Sequence, residues 1–64
     1  MKQYRIHEKT HLGWTLKSTY TEVERSMLHD KDIWAFDWLE QNGSEYLMMG
    51  ETMYDIVHNQ TEGV

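Results

Sequence analysis

Apolar and polar positions alternate from the start of the chain, with Tyr4 and Ile6 set between Gln3, Arg5 and His7. A period of two is that of a half-buried strand and predicts one over residues 2–7. Residues 8–11 are polar and suit a turn. Alternation resumes over 12–20, where Leu12, Trp14 and Leu16 fall on one side and Gly13, Thr15, Lys17 and Thr19 on the other. These two strands form a first hairpin. At Thr21-Glu22-Val23-Glu24 the pattern changes. The Thr21 hydroxyl can accept from the backbone while Glu24 reaches back, a capping box that opens a helix. Val23 and Met27, four apart, share one face of it. The helix is expected to run to about residue 29, followed by the charged connector His29-Asp30-Lys31-Asp32.

Two apolar runs then flank Asn42-Gly43: residues 33–41, which hold Trp34, Phe36 and Trp38, and residues 44–49, which hold Tyr46, Leu47, Met48 and Met49. Asn-Gly between apolar runs is the strongest short-range signal for a tight hairpin. A rival reading makes 33–41 a helix, with Asp32 as N-cap and Asn42-Gly43 as C-cap. Ala, Leu, Glu and Gln favour the helix, whereas Trp, Phe and Ile favour the strand, which is the preferred reading. After Gly50, residues 51–59 read as a second helix with Met53, Ile56 and Val57 on one face, and 60–64 as a frayed tail.

The expected fold class is α+β, a two-layer β-β-α-β-β-α domain spanning 1–59 with two short helices on one face of a four-stranded antiparallel sheet. The face under the helices would collect Tyr4, Ile6, Trp14, Leu16, Trp34, Phe36, Trp38 and Leu47. The other face would carry Arg5, Thr15 and Lys17 from the first hairpin, and Ile33, Ala35, Asp37, Leu39, Tyr46 and Met48 from the second. Antiparallel sheets covered on one side usually turn polar groups to water, so this apolar outer half reads as a contact surface.

Composition sharpens that picture. A chain of 64 residues is one domain and buries only about 60% of the surface its unfolded form exposes. There is no Cys, hence neither a disulfide nor a thiolate metal site, and packing or self-association must supply the stability. No apolar run is long enough to span a membrane and no signal peptide is seen, which points to a cytoplasmic protein. The net charge of −5 is unevenly placed. All six basic residues lie within the first 31 positions; beyond them stand Asp32, Asp37, Glu40, Glu45, Glu51, Asp55 and Glu62 with no base. Such a half repels a phosphate backbone and attracts a basic partner.

Candidate chemistry is sparse. His7-Glu8-Lys9-Thr10-His11 matches H-E-x-x-H, which on a helix binds zinc and activates its water. Here the motif follows a strand, where i and i+4 are too far apart to chelate one ion, so a zinc hydrolase is only a minor alternative. The Ser residues lack a nucleophile signature and the Gly residues are isolated, so no phosphate-cradling loop is present. Glu40 and Glu45 face each other at the expected hairpin tip, too exposed to carry a raised pKa. No catalytic residue, cofactor or metal is therefore assigned. The favoured function is an acidic protein-binding module, possessing Ile33, Asp37, Leu39, Glu40, Glu45, Tyr46 and Met48 as partner-binding residues. The carboxylates steer the encounter and the apolar groups supply its dry centre. Its partner would be a protein with a basic surface, such as a nucleic-acid enzyme or regulator that the module inhibits by mimicking phosphates. In general style such a chain resembles small phage-encoded modulators of host proteins, without any family motif. The alternative is a structural protein whose outer face closes a homodimer.

Overall fold

The computed structural model describes residues 2–58, so the expected tail lies outside the described residues. Its elements run β1 (Lys2–Thr10), β2 (Gly13–Thr21), a 3-10 turn (Val23–Met27), α1 (Asp30–Asn42), β3 (Tyr46–Met49) and β4 (Thr52–His58). The fold is α+β: a four-stranded antiparallel sheet of order β2-β1-β4-β3, with one helix across one face. The two hairpins lie side by side, β1 and β4 central, and α1 is the link from one edge strand to the other. Among the described residues no helix is long and apolar enough to cross a membrane.

Three expectations of element type are corrected. First, residues 33–41 are helical rather than a strand. Ala35, Phe36 and Leu39 fall on one helical face and are essentially inaccessible, and Ile33 and Trp38 pack beside them. Asn42-Gly43 closes the helix instead of turning a hairpin. Gly43 sits at φ 62°, ψ 27°, and its N–H donates to the Leu39 carbonyl at 2.9 Å. The Asn42 side-chain amide donates to the Trp38 carbonyl at 2.8 Å. A left-handed residue is needed both in a hairpin turn and after a helix, so the dipeptide cannot tell the two apart. Asp32 is not the N-cap; it lies inside the first turn and accepts a 2.6 Å hydrogen bond from the Tyr54 hydroxyl.

Second, residues 52–58 form a central strand rather than a helix. Tyr54 is fully buried and Ile56 shares its side, while Met53, Asp55 and Val57 alternate to the other. The true second hairpin joins β3 to β4 through Gly50-Glu51, with Gly50 at φ 63°. Third, the Thr21–Glu24 capping box forms but opens only the 3-10 turn. The Thr21 N–H reaches Glu24 Oε1 at 3.0 Å, and the Glu24 N–H reaches Thr21 Oγ1 at 3.4 Å.

The core comprises Tyr4, Ile6, Leu28, Ala35, Phe36, Leu39 and Tyr54. Phe36 is its hub. The ring meets Tyr4 edge-on at 5.0 Å and Tyr54 at 5.3 Å, geometries in which ring edges approach electron-rich faces.

One irregularity re-sorts the first hairpin. The ladder pairs Ile6 with Ser18 but His7 with Leu16, leaving Lys17 as an extra residue. An extra residue reverses the side to which every later position points. Tyr20 and Ser18 thus face the helix, whereas Leu16 and Trp14 turn to the open side with their partners His7 and Lys9. The expectation that Trp14 and Leu16 belong to the inner face is overturned by this bulge.

Gly43→Ala tests the cap. No atom lies within 4 Å of a Cβ placed there, so the cost is backbone strain alone, about 1–2 kcal/mol. A fall in melting temperature of about 4–16 °C by circular dichroism is the expected outcome.

Candidate protein-docking surfaces

With the helix in place, the seven sequence-nominated residues do not form one patch. Leu39 is 2% exposed and belongs to the core, and Ile33 packs against it. Asp37 and Glu40 stand on α1, and Glu45 precedes β3 on its exit loop. Tyr46 and Met48 lie on the opposite, helix-free face of the sheet. Two surfaces follow, of different chemistry.

The helix side is acidic. Its solvent stripe reads Asp30, Trp34, Asp37 and Gln41, a spacing of three and four that points one way on a helix. Trp34 is 57% exposed. On the 3-10 turn, Val23 and Met27 are also largely exposed, flanked by Glu22 and Glu24. Arg25 joins turn to helix through an ion pair with Asp37, and its guanidinium lies 5.5 Å over the Tyr4 ring. Lower down, Lys2 Nζ donates to Glu40 Oε2 at 2.6 Å, and the Tyr4 hydroxyl donates to the same oxygen at 3.1 Å. The Lys2 hydrogen bond holds the Glu40 carboxyl below its ordinary value, and burial with Glu40 nearby raises the Tyr4 hydroxyl. Burial, with the hydroxyl donating a hydrogen bond to Asp32, also raises Tyr54. Glu40 and Glu45 border a cavity of about 410 Å³ whose wall includes Leu39 and Ile56.

The open sheet face is a grid fixed by the strand register. One row across the sheet is Thr19, Arg5, Asp55 and Tyr46; the next is Leu16, His7, Met53 and Met48; a third pairs Trp14 with Lys9. Leu16, Tyr46 and Met48 are each about half exposed. At the centre Arg5 grips Asp55 through two bonds of 2.9 Å, from Nε to Oδ1 and from Nη2 to Oδ2. His7 Nε2 lies 3.3 Å from Oδ2. Burial alone would push the Asp55 carboxyl up, but the Arg5 guanidinium, aided by His7, holds it below its ordinary value. The Lys9 ammonium lies 5.9 Å from the Trp14 ring centre.

In this strand setting His7 is held by Asp55, and His11 lies in the turn after β1, outside any helix. Among the described residues no group of three or more His, Asp or Glu is placed to hold a metal ion.

Both depressed carboxyls set an acid limit. Their folded values lie below the unfolded ones near 4, so the stabilisation is complete above about pH 5 and is lost as pH falls through the folded values. Urea midpoints measured from about pH 6 down to about pH 3 should fall, and Asp55→Asn should flatten that fall while lowering the midpoint near neutral pH.

The helical stripe with Trp34 was legible from spacing alone, once 33–41 was read as helix. Trp14 and Leu16 carried no such signal, because nothing in the sequence marks the bulge at Lys17. Compared with protein-family models, with curated proteins and with solved structures, the chain shows no match.

Proposed function

We propose that this chain is a small protein-binding module without enzymatic activity, which docks its acidic helix side on a basic surface of a nucleic-acid-handling protein and acts there as an inhibitor or modulator. The observation that carries the reading is Trp34, more than half exposed on a stripe with Asp30 and Asp37, on the helix that Arg25 ties to the exposed Val23 and Met27. A large aromatic among carboxylates supplies both halves of a docking surface: a ring that buries area at little entropic cost, and charges that steer a cationic partner. Asp37, Glu40 and Glu45 remain in this docking group; Leu39 contributes by shaping the helix from within. The carboxylates would occupy positions that phosphates take on the partner, and a cytoplasmic location is part of this reading.

Affinity capture with the tagged chain tests this, at about 50 mM and about 500 mM salt, because exposed charge pairing is screened over that range. A specific protein held at low salt, released at high salt and lost with Trp34→Ala or Asp30→Lys is the expected result. Retention that ignores both substitutions overturns the assignment of the surface.

A further inference from the structure

The open face of the sheet is the second unpartnered surface, and its grid is complementary to itself. We propose that a second copy of this chain covers it, the two sheets packing face to face about a two-fold axis that runs along the strands. The strand order β2-β1-β4-β3 is then laid over its own reverse. β2 lies over the partner's β3, and β1 over the partner's β4. Rotation about such an axis leaves position along the strands unchanged, so each row meets itself reversed. Arg5 of each copy meets Asp55 of the other, and Leu16 of each meets Met48 of the other. Met53 meets the His7 imidazole, and Thr19 meets Tyr46. Arg5 spends Nε and Nη2 on its own Asp55, which leaves Nη1 for the carboxylate across the interface.

Charge favours the same occupant. The chain carries −5, yet Asp55 is the one carboxylate of this face among the described residues. The others lie on the helix side, on connecting turns or on the covered side of the sheet. Two copies joined here hold their acidic helix sides apart, at opposite ends of the assembly. The face measures roughly 14 Å across its three longer strands and about 20 Å from the Gln3 row to the Lys9 row, and β3 adds a fourth strand only over the Arg5 and His7 rows. Two such faces bring together about 650 Å² in projection, below the roughly 1,000 Å² of a stable specific interface, so the contact is a weak one. The dimer is accordingly expected at micromolar rather than nanomolar concentration. It is independent of the docking surface around Trp34.

Sedimentation of the full chain from about 5 µM to about 500 µM reads the outcome, a span over which a micromolar dimer forms. Wild type should pass from monomer to dimer. Leu16→Glu should weaken the dimer at least about tenfold, and adding Met48→Lys should recover that loss by pairing Glu with Lys across both symmetric contacts. Both side chains are half exposed, so neither change enters the core. The chain lacks cysteine, which allows a second readout. Leu16→Cys combined with Met48→Cys should oxidise to a covalent dimer, while Met48→Cys alone should not, its two copies lying on opposite edges. A wild type that stays monomeric throughout, or a dimer that ignores Leu16→Glu, overturns the proposal. A dimer in which neither Met48→Lys nor the cysteine pair behaves as stated overturns the two-fold arrangement. Trp34→Ala should leave the dimer unchanged, which separates its failure from that of the docking surface.

Discussion

Phe36→Ala is expected to abolish the cooperative unfolding transition or to lower its midpoint by at least about 12 °C. Truncating a fully buried aromatic costs about 3–5 kcal/mol, the lost transfer energy plus the cavity left behind. A chain of this length has only about 3–10 kcal/mol to lose. Phe36 is also the residue through which Tyr4 of β1 and Tyr54 of β4 are joined to the helix. Its removal therefore takes edge-on contacts from both central strands at once. Phe36→Leu, which keeps most of the volume, should cost markedly less. Thermal and urea melts followed by circular dichroism decide the matter. A fall of under about 5 °C for Phe36→Ala would show that the core is centred elsewhere.

The second expected result contrasts two positions five residues apart on α1. Leu39→Lys should leave the chain unfolded, because a lysine at a 2% exposed site must bury an unpaired charge or break the packing around it, a cost of several kcal/mol. Trp34→Lys should leave the fold intact, with a stability change on the order of 0.5 kcal/mol, since the ring is 57% exposed. In a hairpin the tolerances would be reversed, with Trp34 under the cover and Leu39 outside. One pair of melts thus reads the helix and its rotation, with Trp34 turned to solvent and Leu39 to the core.

The physical reasons for what could and could not be read in the sequence lie in particular residues. Tyr4 and Ile6 alternate cleanly with polar neighbours, and β1 follows from them. The α+β class and the antiparallel sheet follow in the same way. The middle of the chain misleads because Trp34, Phe36 and Trp38 alternate by chance along a segment whose real periodicity is Ala35, Phe36 and Leu39 inward against Asp30, Trp34 and Asp37 outward. Gly43 satisfied both readings. At 52–58 the opposite error arose, as Met53, Ile56 and Val57 imitate a helical face while the β-branched and aromatic content and Tyr54 belong to a strand. Long-range pairing with β1 decides that segment, and no local pattern contains it. The proposed acidic docking group is partly legible, through Asp37, Glu40 and Glu45. Its aromatic member was hidden by the wrong period.

The extra residue at Lys17 has one more consequence. β2 is the longer of the two outermost strands, nine residues against four in β3, and its outer rim is where a stray chain could add itself and seed a growing fibril. A bulge midway, carrying a lysine, breaks that rim into two short stretches of different twist, which disfavours such an addition. Straightening the strand by deleting Lys17 would restore an uninterrupted template, and with it a tendency to form amyloid.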